Sequence, residues 1–144
     1  MNCVTALDAE TYCRWNGQKR LPTDPEWLLA ALGQDGRRLP WGNDPPGEQS
    51  QICWMSAVDR TCAIGRSLDD ISPAGVMDMA GNVAEWTASV EWKKPCDGLR
   101  VFRGGNYDTR KPDKLNMGQE NRHCTSPYSS RQNTIGIRCV KDLF

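Results

Sequence analysis

The residues best suited to chemistry are two carboxylates in the stretch Gly75–Trp86, GVMDMAGNVAEW. Asp78 and Glu85 stand on either side of Gly81-Asn82, a pair that reads as a turn because both residues tolerate positive φ at little cost. A bend of this kind can aim side-chain carboxylates and freed backbone carbonyls at one point, which is the hard-oxygen environment that Ca²⁺ requires. Trp86 follows, an aromatic large enough to lock the bend onto a core. The same residues also suit a tight turn with two solvated carboxylates, and spacing alone does not choose between the two.

Soft and nucleophilic groups are scattered elsewhere. Seven cysteines occur without a C-x-x-C pair, which argues against a zinc ribbon or a thioredoxin-like site. Cys53 with Cys62, and Cys3 with Cys13, could bridge locally; an odd count leaves at least one thiol free if the rest pair. In a reducing compartment all seven could be free. His123 is the sole histidine, and one imidazole cannot build an iron facial triad. On an extended segment His123 and Cys124 point opposite ways, so they do not make a nucleophile pair. Ser129-Ser130 has no base in view.

The chain that must position these groups has 144 residues, the size of one domain over residues 1–144 with a single core. Eighteen Lys and Arg balance eighteen Asp and Glu, which points away from a nucleic-acid partner. No apolar stretch reaches the length of a membrane span, so membrane insertion is not expected, and the N-terminus does not read as a signal peptide. The compartment stays undetermined. Six Trp against two Phe, with many Gly and Pro, suit a loop-rich fold pinned by large aromatics.

Two helices open the chain. Thr5 to Asn16 carries Thr5 and Asp8 as a capping box and Gly17 as a stop, with Ala6, Ala9, Tyr12 and Cys13 on the core face and Trp15 near its edge. Thr23 caps a second helix, with Pro25 in its first turn, Glu26 reaching back, Trp27, Leu28, Ala31 and Leu32 buried, and Gly33 at its end. From Gln34 to Ala74 periodicity disappears, leaving loop scaffold anchored by Trp41 and Trp54. Trp86–Trp92 alternates as a strand with Trp86, Ala88, Val90 and Trp92 on one face. Leu99–Arg103 is a second strand that closes on Gly104-Gly105, and Ile135–Val140 a last one. Residues 105–134 are polar, with almost no aliphatics except Leu115 and Met117. Such a segment cannot make its own core and must be draped over residues 1–104, the scaffold, with 135–144 closing it.

Five motifs in order, RLPTDPEW (Arg20–Trp27), PWGN (Pro40–Asn43), DMAGNVAEW (Asp78–Trp86), FRGGNY (Phe102–Tyr107) and IGIRCV (Ile135–Val140), closely resemble the formylglycine-generating-enzyme-like (sulfatase-modifying-factor) family. The resemblance implies an α+β, C-type lectin-like fold, with two helices packed on small antiparallel sheets. It implies a disulfide between Cys13 and Cys139, which would contribute roughly 4–5 kcal/mol by loop closure. It also implies a structural Ca²⁺ held by the carboxylates of Asp78 and Glu85 and the carbonyls of Gly81 and Val83. The family's second calcium region is shortened here and offers no convincing ligands.

Active relatives bind copper(I) through two cysteines that follow the Gly-Gly. Here those positions align with Thr109 and Lys114, neither of which is a ligand for a soft metal. No copper is therefore expected, nor an oxidase activity. The family's lectin-fold branch includes the variable proteins of diversity-generating retroelements, whose diversified positions lie between the Arg-Gly-Gly and terminal Ile-Gly-Phe-Arg motifs. Both motifs occur here, as Arg103-Gly104-Gly105 and Ile135-Gly136-Ile137-Arg138. This resemblance implies a non-catalytic module for a protein or cell-surface ligand. Its displayed set would be Tyr107, Asp108, Thr109, Arg110, Gln119, Asn121, His123, Thr125, Tyr128, Ser129 and Gln132, residue types that make adaptable recognition surfaces. The alternatives are a copper oxidase with displaced cysteines, such as Cys124 plus another, and a docking domain of a larger bacterial protein. The tripeptides of sugar-binding lectins are absent, and oligomeric state is open.

Overall fold

The computed structural model describes residues 1–47, 49–55, 60–118 and 122–142. Helix α1 spans Ala6–Trp15, and helix α2 spans Asp24–Leu32. Both form for local reasons. The Thr5 hydroxyl accepts from Asp8 N while the Asp8 carboxylate accepts from Thr5 N, and Thr23 and Glu26 repeat this reciprocal cap. Gly33 then stops α2 at φ +65°, a conformation that favours glycine.

Four strands follow, β1 (Ala84–Glu91), β2 (Leu99–Arg103), β3 (Arg122–Thr125) and β4 (Ile135–Gly136). They form one sheet in the order β3-β2-β1-β4. Antiparallel pairing alone was the expectation; the β1–β4 pair is parallel, so the sheet is mixed. The architecture is α+β, as the motifs imply.

Register sorts the side chains into two rows. Trp86, Phe102 and His123 are cross-strand neighbours, as are Glu85, Arg103 and Arg122. On the side of the first row lie Ala6, Ala9 and Cys13 of α1, packed with Leu21, Ala84, Trp86 and Ile135. A second cluster gathers Trp27 and Ala31 of α2 with Leu39, Met79, Ala80, Leu115 and Met117. Trp41 and Trp54 pack against its margin. Trp27 and Trp86 are almost wholly buried. At about 25 cal/mol per Å² and roughly 150–250 Å² per aromatic, each supplies at most about 4–6 kcal/mol.

Three expectations need correction. Strand β1 covers Ala84–Glu91 rather than Trp86–Trp92, and Trp92, placed by alternation on one face with Trp86, is 74 % exposed while Trp86 is buried. The register shifts between Trp86 and Val90, which resets the alternation, and Ala84–Thr87 are all buried. The last strand covers Ile135–Gly136 rather than Ile135–Val140, with an isolated bridge from Val140 to Arg20 beyond it. The polar segment is also more structured than draped loop. It contains β3 and a short 3-10 helix, Pro112–Leu115, and both Leu115 and Met117 are fully buried.

Disulfides join Cys13 to Cys139, Cys53 to Cys62, and Cys96 to Cys124. The first ties α1 to the chain beyond β4, and the last ties the β1–β2 turn to β3. Cys3, considered above as a partner for Cys13, is free and exposed. Among the described residues no helix is long and apolar enough to cross a membrane.

Candidate functional site

Beyond Arg103 the chain turns at Gly104 and Gly105 under tight packing. A Cβ on Gly105 would lie 2.5 Å from the Ala80 carbonyl oxygen and 2.9 Å from Leu115. Gly105 N donates to Ala80 O, and Tyr107 N donates to Asn82 O, which presses this segment onto the Asp78–Glu85 bend. Thr109 Oγ1 accepts from Asn106 N at 2.9 Å and closes the next turn. The result is one wall of an open cleft of about 480 Å³, lined by Asn106, Thr109, Arg110, Lys111 and Lys114 together with Ala84, Phe102, Gly104 and Gly105. His123 of β3, Gln132 and Thr134 complete it.

Of the residues expected to be displayed, Thr109, Arg110, His123 and Gln132 converge on this cleft. Asp108 stands outside the lining and pairs with Arg110. Thr125, Tyr128 and Ser129 lie at and beyond the end of β3; Ser129 Oγ bonds Ser126 Oγ, and Tyr128 is 74 % exposed. Tyr107 requires correction: it is 3 % exposed and belongs to the interior. Gln119 and Asn121 fall outside the described residues. His123 lays one face on Phe102, with ring centroids 5.3 Å apart. The residue is exposed, yet partial desolvation, and then the positive charges of Lys114 and Arg103, lower its imidazole from its ordinary value.

The sequence reading missed Phe102, Asn106, Lys111 and Thr134 as lining residues, and considered Lys114 only as a substitute for a thiol. Lys111-Pro112-Asp113-Lys114 looks like a solvated run of mixed charge, and nothing local signals a concave setting. It also missed what holds the wall in place. Arg103, fully buried, donates from Nε and Nη2 to the two carboxylate oxygens of Asp24 at the start of α2. Its Nη1 donates to the carbonyls of Gly118 at 2.9 Å and Met117 at 3.3 Å. Arg122 Nε donates to Asp24 Oδ2 at 2.9 Å, and Arg122 also pairs with Glu91. A signal existed: Val101 and Arg103 share a face of β2, and an arginine on a buried face demands an anion.

The Asp78–Glu85 bend is built differently from the expected Gly-Asn turn. Asp78 and Asn82 take positive φ, at +59° and +63°, while Gly81 does not. Gly81 is required by close approach, since a Cβ there would lie 2.6 Å from the Cys53 carbonyl oxygen. Asp70 Oδ2 accepts from Ala80 N and Gly81 N. Burial pushes its carboxyl up to about 6, although those hydrogen bonds pull the other way.

Asp78, Val83, Glu85 and Arg138 line a cavity of about 290 Å³. Asp78 Oδ2 accepts from Gly65 N, while its buried Oδ1 has no hydrogen-bond partner among the described residues. Glu85 Oε2 accepts from Trp27 Nε1 at 2.7 Å and Arg138 Nε at 2.8 Å. Glu85 raises the Arg138 guanidinium above its usual value against burial, and the charges of Asp78 and Asp70 add to this. Two carboxylates, Asp78 and Glu85, and one guanidinium, Arg138, stand among the lining residues, with the Asp70 carboxylate near enough to act on Arg138. The orphaned Asp78 oxygen is the kind of donor that fits a hard cation. Gly81 does not line the cavity, and among the described residues no three His, Cys, Asp or Glu side chains converge as a metal cluster.

Copper(I) does not fit the other position. Thr109 and Lys114 both line the cleft, but one is a hydroxyl engaged in a turn and the other an amine. Cys124 is bonded to Cys96, so it does not supply the displaced thiol of the oxidase reading.

Over residues 1–143 the chain matches the sulfatase-modifying factor enzyme 1-like domain. It is 31 % identical over 148 residues to the inactive C-alpha-formylglycine-generating enzyme 2 of Bos taurus, covering 95 % of this chain and 48 % of that protein. It is 35 % identical over 162 residues to the formylglycine-generating enzyme of Mus musculus, covering 96 % and 43 %. The chain thus spans about half the length of the curated relatives it matches. PvdO from Pseudomonas aeruginosa shares the fold with a TM-score of 0.75 at 24 % identity, over 96 % of this chain and 60 % of that one. Treponema denticola variable protein 1 gives 0.64 at 27 % identity, over 84 % and 46 %. Relatives named as active and as inactive enzymes match alike, so family membership carries the fold, and activity must be argued from the site. With residues 1–143 matched, nearly its whole length, this chain belongs to the sulfatase-modifying factor enzyme 1-like domain family.

Proposed function

We propose that the chain is a non-catalytic ligand-binding module, and more narrowly a variable protein of a diversity-generating retroelement, whose cleft meets a protein or cell-surface ligand. One observation carries the reading. Thr109, Arg110, His123 and Gln132, scattered between the Arg103-Gly104-Gly105 and Ile135-Gly136-Ile137-Arg138 motifs, gather around one cleft, while Tyr107, Leu115 and Met117 hold that segment from within. Arg110, His123 and Gln132 are exposed and can be exchanged with little effect on the core, since substitutions away from buried features change stability little, whereas the Thr109 hydroxyl closes a turn. The fold shared with Treponema denticola variable protein 1 supports the narrower statement. The replacement of copper-binding thiols by Thr109 and Lys114 supports the absence of catalysis.

Sequencing the gene and its flanks across a population tests this reading. Codons for Asp108, Arg110, His123 and Gln132 are expected to vary and to be rich in adenine, beside a near-identical template repeat and a reverse transcriptase gene. The codon for buried Tyr107 is expected to stay constant. Invariant codons and no repeat would overturn it.

The reading includes a structural calcium ion on the Asp78 and Glu85 carboxylates and the Val83 carbonyl, without the Gly81 carbonyl of the family pattern, since Gly81 lies outside that cavity. At a free concentration about a hundredfold above Kd, such an ion adds about 2.7 kcal/mol, or roughly 8 °C in melting temperature. No shift with calcium, or an equal shift with magnesium, removes the ion.

A further inference from the structure

The charged groups among the described residues lining the cleft are all of one sign. Arg110, Lys111 and Lys114 line it, and none of the described lining residues is Asp or Glu. The chain as a whole is neutral, with eighteen residues of each sign, so the asymmetry is local. Asp108, the partner of Arg110, lies outside the lining, and both side chains are about half exposed, an ion pair that opens readily. Beside the cations, the stacked Phe102–His123 pair presents aromatic surface, and Asn106, Thr109 and Gln132 offer neutral hydrogen-bonding groups.

We propose that this cleft takes an acidic peptide segment of a partner protein, one that brings two or three carboxylates together. The proposal rests on the ligand-binding reading and adds the ligand's chemistry. About 480 Å³ suits a few side chains. The positive groups fill one depression rather than a track along a phosphate backbone, which favours a peptide over a nucleic acid. A guanidinium and two ammonium groups pair with carboxylates by charge-assisted hydrogen bonds. The neutral amides and hydroxyls beside them match a peptide backbone, and the Phe102–His123 surface matches the methylenes of glutamate.

The test is a titration of the ¹⁵N-labelled, disulfide-intact chain, followed by NMR, with three probes: blocked tri-glutamate, blocked tri-glutamine and hexathymidylate. Tri-glutamate is expected to shift the signals of Thr109 to Lys114 and His123 with Kd below about 1 mM in about 20 mM NaCl, and to weaken severalfold in about 200 mM NaCl. Tri-glutamine is expected to leave them in place. The Lys111→Ala variant changes one exposed side chain, so its spectrum should stay native while tri-glutamate binding falls severalfold. Absence of shifts with tri-glutamate, or an unchanged Kd in the variant, overturns the proposal. Tighter binding of hexathymidylate at the same residues also overturns it, in favour of a nucleic acid. An invariant gene locus would remove the retroelement reading and leave this result standing. A diversified locus with no tri-glutamate binding would reject only the acidic ligand.

Discussion

Replacing Asp24 with alanine should do more damage than its position at a helix start suggests. Asp24 accepts three hydrogen bonds from two arginines, and Arg103 is fully buried with its remaining donor on the Met117 and Gly118 carbonyls. Removing the carboxylate leaves an uncompensated guanidinium in the interior, which costs about 3–5 kcal/mol. Urea denaturation of the oxidised protein at neutral pH measures this directly. For a chain of this size the melting temperature should fall by about 3 °C per kcal/mol, or roughly 9–15 °C in all. The paired change Asp24→Leu with Arg103→Met removes both charges, and should lose less than Asp24→Ala alone. The pH dependence follows from the same geometry. Burial raises the Asp24 carboxyl, but hydrogen bonds from Arg103 and Arg122 outweigh it and hold the group below its usual 3.8. A depressed carboxyl contributes stability that is complete above the unfolded value and is lost as pH falls through the folded one. The gap between native protein and Asp24→Ala should therefore be constant at neutral pH and narrow below about pH 4. A loss under about 1.5 kcal/mol, or a gap that widens in acid, would refute the buried-pair reasoning.

Other consequences are checked with the same denaturation assay. The Cys13–Cys139 bridge closes 126 residues and Cys53–Cys62 closes 9, so removing them should cost about 5 and about 2.6 kcal/mol respectively by loop closure; equal losses would show that native-state effects dominate. Gly105→Ala places a methyl group 2.5 Å from the Ala80 carbonyl oxygen and should lose about 1–3 kcal/mol; a neutral result would mean that the turn relaxes freely. Tyr107→Ala should lose about 3 kcal/mol, whereas Tyr128→Ala should stay within about 0.5 kcal/mol. Equal effects would undo the division between interior and displayed tyrosines.

What could be read directly from the sequence is what is local in it. Both helices begin where a threonine and an acid three residues on satisfy each other's backbone, and neither cap needs the rest of the chain. The limits of β2, Leu99–Arg103, were equally legible, because alternation ends at a glycine pair. The five motifs carried the family, and with it the fold. Tertiary structure decided which side chains meet. A shifted register in β1 exposed Trp92, and pairing of β2 with β3 set His123 against Phe102 and Arg122 beside Arg103. The cleft draws on residues from Ala84 to Thr134, and Tyr107 turned inward because its segment lies on the Asp78–Glu85 bend. A capping box is closed by residues three apart, so its geometry is written in their types. Burial and charge pairing across strands depend on register between distant segments, and no spacing within one segment specifies that.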